Sequence, residues 1–178
     1  MAILITTSHR PTRRVRSFCK ELSAVLPGSV YVNRGKKCLS EVMLEASARG
    51  MSHSLIVNVR KGNPGRLDLY RAEDGKLVAS IVCLGTKLAR EMGVAPQRMK
   101  RAAVAVEAEG DLELLGRVMA EALSLPLVKG RPSPSEYASA MIISPRRGYL
   151  GAINFLSLSS HKPVGPLIRV KRILKAVG

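Results

Sequence analysis

The chain has 178 residues, of which 46% are hydrophobic, so it is long enough and apolar enough to fold around a substantial core. Its 29 lysine and arginine residues against 13 acidic residues give a net charge of +16, which indicates an acidic partner, above all nucleic acid. No run reaches the ~18 apolar residues of a membrane span, and the 3 cysteines lack CxxC spacing, which indicates reduced thiols in a cytoplasmic protein.

The positive charge is concentrated at the two ends of the sequence. Residues 1–40 and residues 141–178 each carry a net charge of +7, whereas residues 41–140 carry only +2. If the two terminal blocks meet in the folded protein, they form one positive face, the electrostatic footprint of a polyanion-binding protein. A basic surface covered only by solvent and counterions is the alternative.

In the first half of the chain, strands and helices are predicted to alternate before a hairpin. Hydrophobic periodicity and the Gly and Pro stops predict strands at 2–6, 29–33 and 54–59 and helices at 13–26 and 40–49. A turn at 62–65 then leads into strands 66–71 and 76–84, joined through Asp74-Gly75. Residues 86–92 are predicted as a short helix.

The second half repeats the strand–helix–strand–hairpin order. We expect a strand at 101–107, a helix at 112–123, a Pro- and Gly-rich loop at 129–135, and paired strands at 137–143 and 149–158. Residues 166–172 read as a last basic strand, although Leu167, Val170 and Leu174 also fit a helical period. These patterns predict one α/β domain over 1–178, built from two similar halves with mixed sheets, 1–95 and 96–178.

The first predicted helix is amphipathic and strongly basic. Its apolar residues, including Phe18 and Leu22, share one face, and the opposite face carries Arg13, Arg16 and Lys20. Four arginines crowd its N-terminus, namely Arg10, Arg13, Arg14 and Arg16. Cations at that end oppose the helix dipole by about 0.3–1 kcal/mol each. A bound phosphate would relieve this repulsion and use the free backbone amides, so we predict a phosphate contact here.

Three further basic segments are candidates for RNA contacts. The loop before the second helix contains Arg34, Lys36 and Lys37, a turn in the second half contains Arg146 and Arg147, and the last strand contains Arg169, Lys171 and Arg172. Alternation along that strand is expected to place Arg169 and Lys171 on one face. An exposed turn or a charged edge strand would give the same residues without RNA binding.

The sequence offers no pattern typical of an enzyme. His9, His53 and His161 are scattered without metal-ligand spacing, and no GxxxxGK[ST] motif provides a nucleotide-binding loop. The acids Glu107, Glu109, Asp111 and Glu113 are best explained by a strand end and a helix start. We therefore predict no catalytic residue, metal ion or cofactor.

Four segments resemble the Brix-domain family. They are TTSHRPTRRVRSFCKEL (6–22), NRGKKCLSEVMLEASARG (33–50), LIVNVRKGNPGRLDLY (55–70) and GPLIRV (165–170), and the lack of extensions resembles the short archaeal members. The resemblance implies a fold of two halves similar to anticodon-binding domains of aminoacyl-tRNA synthetases. It also implies a role in ribosome assembly, through binding of ribosomal RNA precursors.

The leading hypothesis is therefore a non-catalytic, cytoplasmic RNA-binding factor for ribosome biogenesis. Its expected partners are ribosomal RNA precursors and other ribosome-assembly proteins, without a membrane or a nucleotide cofactor. A stable ribosomal protein and an RNA-modifying enzyme are the alternatives.

Overall fold

A computed structural model describes residues 2–175 and joins all its strands into one ten-stranded sheet. In the first half, the elements are β1 (Ile3–Thr7), α1 (Arg13–Val25), β2 (Val30–Tyr31), α2 (Leu39–Ala48), β3 (His53–Arg60), β4 (Asn63–Arg71), β5 (Leu77–Lys87) and a 3-10 segment (Ala89–Met92). In the second half, they are β6 (Ala102–Val106), α3 (Asp111–Leu123), β7 (Leu127–Lys129), β8 (Ser139–Arg146), β9 (Tyr149–Ser157) and β10 (Leu167–Lys175).

The strand order confirms that the chain consists of two similar halves. It is β2-β1-β3-β4-β5-β10-β9-β8-β6-β7, so the same arrangement is met from either edge of the sheet. Each half has three parallel strands followed by two antiparallel ones, and β5 pairs antiparallel with β10 to join the halves. An approximate twofold axis therefore passes between β5 and β10. It relates each loop of one half to an equivalent loop of the other half, and the two lie at opposite edges of the sheet, where the strands end.

The helices cover the two faces of the sheet unequally. Both α1 and α3 pack on one face, where the main core contains the fully buried Phe18 and Phe155. On the other face, α2 covers β1 and β3 through a smaller cluster that contains Val42 and Ile56. The second half has no counterpart of α2, because residues 130–138 connect β7 to β8 without a helix.

The first helix begins where its sequence predicts. Thr12 is its N-cap and accepts a hydrogen bond from the Val15 amide at 3.2 Å. The face that contains Phe18 and Leu22 is buried, and Arg13 and Arg16 are exposed on the other face. The predicted amphipathic pattern is thereby confirmed.

Three expectations need correction, each because strand pairing extends further than the local pattern suggests. Thr86 and Lys87 belong to β5, where they pair with β10, so only Ala89–Met92 is helical. The turn expected at 62–65 is shorter, because β4 already begins at Asn63. Strand β7 occupies the start of the expected loop at 129–135. The last segment is a strand paired with β5 and β9, which confirms the predicted strand and excludes the alternative helix.

Candidate nucleic-acid interface

Three loops meet where the parallel strands β1, β2 and β3 end. Hydrogen bonds connect them: the Thr12 hydroxyl donates to the Gly62 carbonyl at 2.7 Å, and His9 Nε2 lies 3.0 Å from the Lys37 carbonyl oxygen. Carboxyl ends of parallel strands share one edge of a sheet, which is the usual place for ligand sites in open α/β sheets. Residues from positions 9, 37 and 62 are thus held at one edge.

Exposed cations dominate this edge. We define the cationic edge as Arg10, Arg13, Lys36, Arg60 and Lys61, all of which are exposed. Within the described residues, none of these side chains forms an ion pair or a hydrogen bond. Arg10 and Lys61 also have left-handed backbone conformations, with φ of 54° and 48°. Such conformations are unfavourable for residues other than glycine and concentrate at functional sites.

Two of the predicted RNA-binding arginines form hydrogen bonds with other groups of the protein. Arg34 is only 9% exposed, and its guanidinium donates to the Thr7 carbonyl at 3.0 Å and the Lys37 carbonyl at 2.7 Å. Arg14 donates to both carboxylate oxygens of Glu91. This contact raises the pKa of Arg14 and lowers the pKa of Glu91 to about 2. Both arginines therefore fix the loops of the edge.

Two predicted lysines have partners and remain near the surface. Lys37 Nζ lies 2.6 Å from Glu45 Oε2, and hydrogen bonding from Lys37 lowers the pKa of Glu45. The Lys20 ammonium lies 5.9 Å from the centre of the Tyr31 ring, within range of a cation–π contact. Arg16 is exposed between Arg13 and Lys20 on the outer face of α1, so these three form the predicted basic stripe.

Part of the C-terminal basic block reaches the cationic edge. Lys171 lines a cavity of about 440 Å³ together with Arg60 and Lys61, and Arg172 lines a second cavity beside Arg60. Arg169 is half-buried. The strict alternation of side chains between the two faces of β10 ends after Arg169, because register shifts on both sides of Val170 leave Lys171 without a partner on β5. As a result, Lys171 and Arg172 are both exposed.

Arg146 and Arg147 lie elsewhere. They form the β8–β9 turn, which is equivalent to the β3–β4 turn under the approximate twofold and therefore lies toward the opposite edge of the sheet. Arg146 donates to the Ser144 hydroxyl at 2.8 Å. The two terminal basic blocks thus meet only in part: Lys171 and Arg172 join the first block, and Arg146 and Arg147 do not.

Arg60 and Lys61 were missed by the sequence reasoning, although a signal for them exists. The β3–β4 turn reads Arg60-Lys61-Gly62, and the β8–β9 turn reads Arg146-Arg147-Gly148. The sequence pattern points only to the second turn, because that turn lies in a strongly basic block. Alignment of the two halves on their hairpins would have identified the first.

The described part of the chain holds no group of three or more His, Cys, Asp or Glu side chains able to bind a metal ion. Asp111 and Glu113 lie in the first turn of α3, as expected for acids at a helix start. In residues 2–175, no helix is both long and apolar enough to cross a membrane.

Comparison with known proteins reveals close relatives. A probable Brix domain-containing ribosomal biogenesis protein of Pyrococcus horikoshii is 38% identical over 95% of this chain and 83% of its own length. A protein of the same name from Thermococcus kodakarensis is 37% identical over 95% of this chain and 89% of its own. No family model matches the chain.

Solved structures agree with these relatives. The crystal structure of a probable ribosomal biogenesis protein from Aeropyrum pernix superposes with a TM-score of 0.82 and 27% identity, over 99% of both chains. Mil, an archaeal Imp4-like protein, shares the fold with a TM-score of 0.67. With its two-half α/β sheet and relatives that match nearly its full length, the chain belongs to the family of Brix domain-containing ribosomal biogenesis proteins of archaea.

Proposed function

We propose that the protein binds ribosomal RNA precursors through the cationic edge and assists their processing and assembly. The observation that carries this proposal is the convergence of five exposed cations from three loops and the helix and strand ends that adjoin them, none with a partner among the described residues. Unpaired lysines and arginines at a loop edge are the groups that contact nucleic-acid phosphates and release counterions. The first turn of α1 contains no acidic residue and presents its free amides beside Arg13.

Recognition at this edge rests on the phosphate backbone. Both phenylalanines, Phe18 and Phe155, are fully buried, so neither can serve as a stacking platform for bases. Phosphate contacts position a protein on RNA without reading the base. We therefore propose that the cationic edge binds RNA with little sequence preference.

We propose that this role is non-catalytic. His9 lies in the loop after β1, His53 in β3 and His161 between β9 and β10, so the three imidazoles belong to separate parts of the fold. The protein would act in the cytoplasm as a single domain with halves 1–95 and 96–178, together with other ribosome-assembly proteins. Turnover of precursor RNA by the purified protein, abolished by one His or carboxylate change, would instead establish an enzyme.

Cross-linking in cells of the native host tests the proposal. Ultraviolet light should link the protein to ribosomal RNA precursors, with the linked peptides drawn from residues 6–22 and 55–70. Gradient sedimentation of native extract should place the protein with precursor particles and not with finished subunits. Stoichiometric presence in mature subunits would establish a stable ribosomal protein, and a lack of ribosomal RNA among the linked sequences would overturn the proposal.

A further inference from the structure

The second half contains a cavity on the sheet face opposite α1 and α3. Its volume is about 550 Å³, within the range of small-ligand sites. Ile142, Asn154 and Leu156 line it from β8 and β9, alternating with Ile143 and Phe155 of the main core. Its walls are apolar and come from Pro132, Pro134 and Leu158 of the flanking loops.

The internal repeat explains why this cavity is open. Alignment of the basic hairpin turns makes Ile142 in β8 equivalent to Ile56 in β3, since each lies four residues before the first arginine of its turn. In the first half, α2 packs on Ile56 through Val42 and Ala46. Residues 130–138 supply no such helix, so the equivalent face around Ile142 remains accessible.

A polar group at the same position in both halves has partners in only one of them. Asp68 faces Ile56 across the strands, and Asn154 faces Ile142 in the same way. Asp68 is 4% exposed and accepts hydrogen bonds from Asn58, Arg66 and Ser80. The half-buried Asn154 amide has no hydrogen-bond partner among the described residues and borders the cavity. An amide of this kind can bind the edge of a nucleobase.

Basic side chains surround the mouth of the cavity. Arg146, Arg131 and His161 line it, and Ser144 fixes the Arg146 guanidinium through a hydrogen bond of 2.8 Å. The acidic group in the lining is Glu107, whose Oε1 lies 3.7 Å from Arg131 Nε. The site thus combines an apolar floor, an unpaired amide and a cationic rim.

We propose that this cavity binds one unstacked nucleotide of a single-stranded RNA segment. The base would lie on Ile142 and Leu156 with its edge against Asn154, and its phosphates would contact Arg146 and Arg131. This inference rests on the proposed RNA-binding function and adds a second site, toward the opposite edge of the sheet from the cationic edge. The protein would hold two RNA segments, one without base preference and one with it.

Binding of labelled homopolymeric pentanucleotides of the four bases to the full chain tests this site. Wild-type protein should prefer one base by ~5-fold or more, the discrimination expected from an amide that reads a base edge. Asn154→Leu should reduce the preference to ~2-fold or less and should still fold, because no side-chain hydrogen bond among the described residues is lost. Arg146→Ala should weaken binding of all four, and Arg13→Ala should weaken binding while it keeps the preference.

Two outcomes separate failure of this inference from failure of the proposed function. If wild-type protein binds RNA and Asn154→Leu changes neither affinity nor preference, the cavity is not a base site and an apolar protein segment becomes its better occupant. If wild-type protein binds no RNA, the proposed function itself fails. Thiouridine placed in the RNA gives a positional readout: cross-links to peptides that contain Pro132 or Leu156 support the site, and cross-links confined to residues 6–22 overturn it.

Discussion

Arg14 and Glu91 form a two-point ion pair although they lie 77 residues apart in the chain. Arg14 also donates a hydrogen bond to the Thr86 carbonyl at 3.1 Å, and Glu91 accepts one from the Leu88 amide at 2.9 Å. Together these contacts hold the first turn of α1 against the end of β5. The pair thereby fixes the position of the exposed cations on either side of Arg14 in the sequence.

This ion pair should make the unfolding free energy depend on pH. Hydrogen bonds from Arg14 and from the Leu88 amide lower the pKa of Glu91 from 4.5 to about 2, so these contacts stabilise the fold fully above the unfolded-state pKa and lose this effect as pH falls toward 2. Its side chains are 30% and 37% exposed, so the contribution at neutral pH should be about 0–1 kcal/mol. Urea unfolding should show a difference between wild type and Glu91→Gln that shrinks between pH 4.5 and 2. A difference that stays constant over this range would contradict the assignment.

Phe18 and Arg16 provide a matched pair that separates folding from binding. Phe18 is fully buried in the main core, so Phe18→Ala should cost about 3–5 kcal/mol of unfolding free energy. Arg16 is exposed on the outer face of the same helix, so Arg16→Ala should change stability by less than about 0.5 kcal/mol. Chemical denaturation measures both values. Equal losses would mean that the two faces of α1 are wrongly assigned.

Arg34 should behave as a structural residue. Arg34→Ala removes the guanidinium that donates to the buried Thr7 carbonyl and to the Lys37 carbonyl, which His9 Nε2 also contacts, and this should cost about 1–3 kcal/mol. Lys36→Ala, two residues away and exposed, should leave the unfolding free energy nearly unchanged and lower RNA affinity. Denaturation together with an RNA titration distinguishes the two roles. A stable Arg34→Ala variant with weakened RNA binding would show that Arg34 contacts RNA directly.

The fold was largely predictable because its elements follow local patterns. The amphipathic pattern around Phe18 predicts α1, and the Asp74-Gly75 turn predicts the β4–β5 hairpin, which is present with Arg71 and Leu77 at its ends. What the sequence did not reveal depends on contacts between distant segments. Thr86 looks helical locally and is a strand residue because β10 pairs with it.

Gly116 should resist a substitution that normally stabilises helices. Alanine in place of glycine inside a helix is favourable by about 1 kcal/mol. At this position in α3, however, the added Cβ would lie 2.1 Å from Val106 Cγ2, and such overpacking costs about 1–3 kcal/mol. Gly116→Ala should therefore lower the melting temperature. The double variant Gly116→Ala/Val106→Ala should lose less stability than the sum of the two single variants. An increase in melting temperature for Gly116→Ala alone would contradict the close packing.

The candidate site was predictable only in part, because charge in a sequence does not show which cations have partners. Arg10 and Arg13 are exposed, as expected, whereas Arg14 and Arg34 are bound to groups that are remote in sequence. Lys61 lies in a segment of low net charge and reaches the same edge through the parallel order of β1 and β3. Contacts between segments that are distant in sequence therefore decide which cations lack a partner and which lie at the same edge.

Binding of RNA to the cationic edge can be measured through its salt dependence. Arg13→Ala and Lys61→Ala each remove one exposed cation, and each should lower the slope of log affinity against log salt by about 0.7–0.9. The loss should be similar for RNAs of different sequence, because phosphate carries no base identity. Lys76→Ala is the matched control: it removes an exposed lysine from the β4–β5 turn, at the other end of these strands.

The most direct measurement is this titration on the Arg13→Ala/Lys61→Ala double variant, with thermal unfolding recorded in parallel. A folded variant whose salt slope falls by about 1.4–1.8, while Lys76→Ala keeps the wild-type slope, is the predicted result. A folded double variant that binds RNA with the affinity and salt slope of wild-type protein would show that the cationic edge is only a solvated basic surface.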